Sequence, residues 1–492
     1  MKRLWQGLFI LVFSSLLSIG CMPISAVRSE LSQPNQRHIL QRLSYGITRE
    51  QIEQVNKQGI EAYIQSQLNP DQLPESPYVA KYQSELELIN QPVVKIQSLH
   101  AKYRRQLRTP NISIAEHQRI DKITRNLNLQ SRKEAMRLRL ARAIYSRRQL
   151  EELMVDFWFN HFNVFANKGV ISLWVADYEK QIRSHALGNF RDLLEVTASH
   201  PAMLIYLDNE RNTASNKPGS SLDSLNENYA RELMELHTMG VDSGYTHEDI
   251  VALSRIFTGW GVDYTNKRGD EHGFFFYKNL HDPSPKVFLG HQITSQGMEE
   301  GREALDILTA HPATAQFISY KLAQYFVTDN PPSSLVDSLA KEFLASNGNI
   351  KLVLDTLIHS SEFNNPKYYG KKFKNPYQYL ISLVRMSEIK QPNYETLTFM
   401  LSNLAMPMYM CSAPTGYKNT ESAWLNPQGI LQRIGYGSAI ARGSLTDKKP
   451  LKYEQLTDNF GQLSRRTEDV IAKSTPGLRS SLILGSPEAM YR

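Results

Sequence analysis

The sequence predicts a mainly α-helical protein: a single large helical domain with one small β-hairpin near residues 274–289. Three observations carry that reading. Apolar side chains recur at three- and four-residue spacing along most of the chain, which places them on one face of a helix. Helix-start signals are frequent. Thr48 with Gln51 and Thr246 with Asp249 have capping-box spacing, and His200-Pro201-Ala202 and His311-Pro312-Ala313 each set a proline in a first turn. Only Phe274–Tyr277 and Lys286–Leu289 read as strands, joined by a connection that holds His281-Asp282-Pro283.

The N-terminus stands apart from the globule. Lys2 and Arg3 precede an uncharged run from Leu4 to Leu17, and Ser18-Ile19-Gly20-Cys21 reads as a bacterial lipoprotein cleavage box. Residues 1–20 are then a signal peptide, and Cys21 is the lipidation site that tethers the chain to a membrane. The alternative is an uncleaved anchor, since Leu4 to Gly20 is nearly long enough to span a bilayer. Either route exports the rest to the cell envelope, a location that disfavours nucleic acid as a partner. Once Cys21 carries lipid, Cys411 is the remaining thiol and no intramolecular disulfide can form.

Residues 21–37 form a linker, 38–445 the helical domain and 446–492 a polar C-terminal extension. Within the domain, helices are expected at Thr48–Gln67, Tyr78–Arg108, Ser113–Asn128, Ser131–Tyr145 and the aromatic-rich Gln149–Phe165. The last is read as buried, being too short and too polar to cross a membrane. Helical patterning continues through Leu173–Leu187 and Phe190–Ser199. Asn209 to Ser224, rich in Asn, Ser and Gly, is a loop that leads into the central segment, Asn226 to His237. Beyond the strands, helices return from Met298 to Phe363 and again at Lys374–Ile389, Tyr394–Met406 and Asn426–Ile440, with Pro407 to Trp424 as a loop.

The central segment holds the densest candidate chemistry. At 100° per residue, Tyr229, Ala230, Leu233, Met234 and Leu236 share an apolar arc with His237, while Asn228, Arg231, Glu232 and Glu235 share the other side. Glu232 and Glu235, with His161 and Asn228, are candidate acid–base groups. Arg231, Asn163, Asp208 and Asn209 are candidates for holding a substrate. His237, His281 and Asp282 are candidate ligands for a divalent metal, a mixed set that suits Zn, Mn or Fe. The competing reading is structural: Glu227, Arg231 and Glu235 have the spacing of an ion-pair ladder. The sequence contains no His-Glu-x-x-His, paired Glu-x-x-His or Gly-x-Ser-x-Gly motif.

Charge is uneven. The chain has a formal charge of +7, yet residues 102–148 alone carry 14 Lys and Arg against Glu116, Asp121 and Glu134. A solvated helix face accounts for this, as does a surface for an anionic polymer or acidic partner.

Several stretches resemble the bacterial domain of unknown function 1800 family. They include His38-Ile39-Leu40-Gln41-Arg42-Leu43-Ser44-Tyr45-Gly46, Phe157 to Val164, His185 to Asp192, Tyr206 to Asn209, Asn226 to His237, Phe257-Thr258-Gly259-Trp260 and Trp424-Leu425-Asn426-Pro427. The resemblance runs from residue 38 to about residue 440. It implies one helical domain and an exported protein, with a sulfatase- or phosphatase-like envelope protein as a partner. It implies no activity. Two functions fit the residues: a metal-assisted envelope hydrolase, or a lipid-tethered scaffold that binds an anionic polymer or an acidic envelope partner.

Overall fold

The computed structural model describes residues 31, 34–214, 225–446, 449–461 and 463–492. The expected signal peptide, Cys21 and residues 215–224 of the Asn-Ser-Gly loop lie outside the described residues. From Pro34–Leu43 to Pro487–Met490 the described chain is mainly helical, with two small two-stranded sheets. The caps form as their chemistry requires. Thr48 with Gln51 and Thr246 with Asp249 close reciprocal capping boxes. His200 and His311 each accept, through Nδ1, the N–H of the alanine two residues on, at 3.1 and 3.2 Å. Such side-chain caps are worth about 1 kcal/mol each.

The two helices expected at 113–145 are one. Ile114–Tyr145 runs unbroken for 32 residues, about 48 Å at helical rise. Leu129 and Gln130, at the supposed break, are good helix formers with no glycine or proline beside them. Three arginines of the basic 102–148 stretch face carboxylates at the surface. Arg119 pairs with Glu116 at 2.7 Å, Arg137 with Glu395 at 3.5 Å and Arg147 with Glu50 at 3.1 Å, while Arg139 turns inward.

The Gln149–His161 helix lies at the centre, with every residue except Asn160 buried. Two of its three carboxylates, Asp156 and Glu152, are matched by charges from two neighbouring helices, whereas burial raises the pKa of the third, Glu151, to about 7. Arg139 bonds Asp156 at 2.6 Å and Glu179 at 3.2 Å, and Arg183 bonds Glu152 at 2.8 Å and Glu179 at 3.1 Å. The Arg139 guanidinium also lies 5.0 to 5.4 Å from the rings of Phe159, Tyr377 and Tyr409. Buried charges are tolerable only when paired and hydrogen-bonded in this way.

Strands occur where the pattern placed them, but they do not pair with each other. Phe274–Phe276 pairs antiparallel with Trp260–Val262, and Val287–Phe288 with His291–Gln292. Gly259 makes the first pairing possible: at φ +82° it lets the backbones close to where a Cβ would sit 2.7 Å from the Tyr277 carbonyl. The second pair closes through Leu289 and Gly290, both at positive φ, the twist a two-residue hairpin needs.

The C-terminal region is not a polar extension. Leu456, Phe460, Ile471, Ile483, Leu484 and Met490 belong to the same contiguous core that begins at Ile39. Arg492 closes it, its backbone exchanging hydrogen bonds of 2.9 and 3.1 Å with Lys372.

The central segment departs from regular helix. Asn226 caps it by accepting from the Tyr229 N–H at 3.1 Å, and Glu227–Glu232 is α-helical. Leu233–Thr238 is then a π-helical turn, in which the Met239 N–H reaches the Met234 carbonyl at 2.8 Å. The Thr238 hydroxyl adds a bond of 2.7 Å to the Leu233 carbonyl. Tyr229, Ala230, Leu233, Met234 and His237 are buried as expected, but Leu236 is half-buried.

Candidate acid–base site

The residues picked out in the sequence divide among separate environments. On the half-exposed face of the central segment, Arg231 lies 3.8 Å from Glu227 and 3.3 Å from Glu235, the ladder that the spacing allowed. Glu235 also accepts the Tyr245 hydroxyl at 2.7 Å. Partial burial raises the Glu232 pKa, Glu235 adds to the rise and Arg231 opposes it. Asn228 is exposed. His161 meets the buried end of the segment, where its Nε2 donates to the His237 carbonyl at 3.0 Å. The cavity that His161 lines has neither glutamate in its wall.

The expected substrate-binding residues hold backbone. Asn163 donates to the carbonyls of Cys411 and Ala413 at 3.0 and 2.9 Å. Asn209, fully buried, donates to those of Phe257 and Trp260, both at 3.2 Å. Asp208 pairs with Lys168 at 2.8 Å.

The expected metal ligands are likewise apart. His281 bonds Glu300 at 3.1 Å through Nε2 and the Thr258 carbonyl at 2.9 Å through Nδ1, and Lys286 completes the group at 2.6 Å from Glu300. Asp282 pairs with Arg255 at 2.8 Å. His237 is buried elsewhere, beside Lys321, with its pKa lowered to about 3, chiefly by burial.

A different set does converge. Among the described residues, Asp177, His200 and His272 are the one group of three or more such side chains whose ligand atoms all lie within 4.8 Å of one another. Asp177 sits in the first turn of the Val175–His185 helix, His200 caps Pro201–Tyr206, and His272 ends the loop before Phe274–Phe276. One oxygen, Asp177 Oδ2, faces His200 Nε2 at 3.1 Å and His272 Nδ1 at 2.7 Å.

The His200 cap fixes the proton positions. Nδ1 accepts the Ala202 N–H, so in the neutral ring the proton is on Nε2 and is donated to Asp177. Burial lowers the His200 pKa and keeps the ring neutral. His272 is half-buried; its hydrogen bond to Asp177 raises its pKa, against a smaller opposing effect of burial. The two histidines more than offset the burial of Asp177 and hold its carboxyl well below the usual range.

This donor set does not fit a metal held by all three side chains. A ligating Nε2 on His200 needs its proton on Nδ1, yet Nδ1 faces a backbone donor. The geometry instead matches a carboxylate that orients a histidine for proton transfer.

His200 and His272 line a cavity of about 330 Å³, together with Asp192, Glu195, Asp270 and Arg302. Trp260 and Phe274 supply apolar wall, and the Trp260 indole N–H, close against Gly301, has no hydrogen-bond partner among the described residues. Glu195 is held ionised by Arg191 and Arg302 at 2.7 and 2.8 Å.

Fold and site together define a large helical protein that carries a carboxylate-oriented histidine on a cavity wall. The chain belongs to the family described as protein of unknown function (DUF1800), whose model matches residues 38–491. The match runs past residue 440 to include the C-terminal helices that join the core. Neither a curated protein nor a solved structure matches the chain.

Proposed function

We propose that the protein is an exported, lipid-anchored hydrolase of the bacterial cell envelope in which His272 is the acid–base group. Export and anchoring rest on Lys2-Arg3, the uncharged run after them and Gly20-Cys21. The observation that carries the chemistry is the 2.7 Å bond from His272 Nδ1 to Asp177. It fixes the tautomer so that the neutral ring carries its lone pair at Nε2, 3.4 Å from the exposed Glu271 carboxylate. That nitrogen takes a proton from an attacking water, Asp177 stabilises the imidazolium formed, and the same proton is returned to the leaving oxygen.

The substrate class is a hydroxyl-rich unit such as a sugar at a chain end. A wall combining carboxylates, Gln181 and aromatic rings suits hydroxyl groups. At about 330 Å³ the cavity is near the lower end of small-ligand pockets, which start at about 300 Å³. The scaffold alternative has less support, because three arginines of the 102–148 stretch, Arg119, Arg137 and Arg147, already face carboxylates.

The test is hydrolysis of a panel of envelope and plant polysaccharides, followed by release of reducing ends. His272→Asn and Asp177→Asn should each slow turnover by about 100-fold or more while the circular dichroism spectrum stays unchanged. Undiminished turnover by folded His272→Asn, or no turnover of any glycan by the wild type, overturns the proposal.

A further inference from the structure

A second cavity, independent of the His272 site, lies between the Gln149–His161 and Pro312–Phe326 helices and the loop that contains Thr415 and Tyr417. Its wall is rigidly built. The Asn160 side chain donates to the Tyr417 carbonyl at 2.8 Å and accepts the Tyr417 N–H at 2.7 Å. Gly416, at φ +68°, makes this clamp possible, since a Cβ there would sit 2.6 Å from Asn160 Oδ1.

The charge inside is unbalanced. Lys321 lines the cavity, and its pKa is lowered to about 8 by burial alone, with no carboxylate acting to raise it. Its ammonium lies 5.3 Å from the Phe317 ring centroid. Lys418 adds a second cation at the exposed mouth. Asp156 also lines the cavity, but Arg139 already pairs with it at 2.6 Å. His161, on the same wall, is neutral: burial and the neighbouring Lys321 push its pKa down. Asn375 gives its side-chain carbonyl to the Gln378 N–H at 2.8 Å, which leaves its amide hydrogens for another acceptor.

We propose that this cavity is a binding site for a small oxyanion, a free phosphate or sulfate or the same group as an ester on a larger molecule, held by Lys321 with Lys418 at the entrance. Size supports an anion over a larger organic ligand. The cavity holds about 120 Å³, well below the roughly 300 Å³ at which small-molecule pockets begin. A charged ammonium with no carboxylate counter-ion, in a space of that size, selects an oxyanion by charge and hydrogen bonding.

The test uses inorganic phosphate, sulfate and a short-chain phosphate monoester as probes in titration calorimetry at constant ionic strength. The wild type should bind phosphate or sulfate at one saturable site. Lys321→Gln should weaken that binding by about tenfold or more, the value of one charge-assisted hydrogen bond. Lys321→Arg should keep most of it, and Lys418→Gln, at an exposed position, should weaken it a few-fold without affecting folding. Preference for the monoester over free phosphate would identify an esterified source, and the reverse a free ion. Absence of saturable binding in the wild type overturns the proposal. So does binding within twofold of wild type in both folded Gln variants; if Lys321→Gln does not fold, Lys418→Gln alone decides.

Discussion

Replacing Asp177 with asparagine tests the proposed centre without removing either histidine. In the native protein one carboxylate oxygen takes two N–H bonds, from His200 at 3.1 Å and His272 at 2.7 Å. Hydrogen bonds to a charged group contribute about 1.5–3 kcal/mol each, and neutral ones about 1 kcal/mol. An asparagine oxygen in the same place keeps both bonds, now to a neutral acceptor, while its NH₂ takes the position of the other carboxylate oxygen. The expected loss is therefore about 1–4 kcal/mol, against a typical stability of 5–15 kcal/mol.

The pH dependence has a definite sign. Asp177 has a lowered pKa, so its contribution is present above the unfolded carboxyl value of 3.8 and lost as pH falls through the folded value. His272 has a raised pKa, so its contribution is complete below the unfolded value of 6.5 and lost as pH rises through the folded one. Wild type and Asp177→Asn should therefore differ most between those two values, and less above the folded pKa of His272. His200 is buried in both proteins, and losing Asp177 only makes its protonation costlier, which adds to the difference on the acid side. Urea melts at about pH 5 and about pH 8.5, with imidazole NMR to follow His272, make the measurement. Equal stability at the lower pH, together with an unshifted His272 titration, would refute the reasoning.

Other predictions follow from single contacts. Arg139→Met removes the ionic partner of Asp156 and one of the two of Glu179, and should destabilise by about 3–5 kcal/mol in urea melts; a loss below about 1 kcal/mol would mean that the buried charges are solvated. Gly416→Ala drives a Cβ into Asn160, so a loss of at least about 1–3 kcal/mol is expected, and a neutral effect would show that the 415–417 loop moves freely. Glu232→Gln removes a carboxylate whose pKa is raised, so stability at neutral pH should stay within about 0.5 kcal/mol or rise. Loss of turnover in that variant would return catalysis to the central segment and displace His272.

Most of the fold was legible because it follows from local rules. Apolar spacing, capping boxes and proline in first turns each act within a few residues, and Thr48, Thr246, His200 and His311 cap as their neighbours require. What escaped was set by distant contacts. The 100° rule places Leu236 with the buried residues, but the π-helical turn at Leu233–Thr238 leaves it half-buried. The two strand segments were visible, yet their partners depend on Gly259 and on Leu289-Gly290, whose backbone angles alternation does not encode.

The site shows the same division at one residue. His200 was legible as a cap, and a cap that accepts through Nδ1 must carry its ring proton on Nε2. A buried donor needs an acceptor, at a cost of about 1–3 kcal/mol if none is found. That requirement was the available signal, because it asks which carboxylate meets His200 even though no spacing links Asp177, His200 and His272. Asp177 answers it from the start of another helix, and its shared oxygen then also takes His272. The polar face of the central segment looked richer in chemistry because its residues lie close together in sequence. Closeness in sequence, however, is what lets Glu227, Arg231 and Glu235 satisfy one another. The carboxylate left to work on a histidine came from a helix where no such ladder engages it.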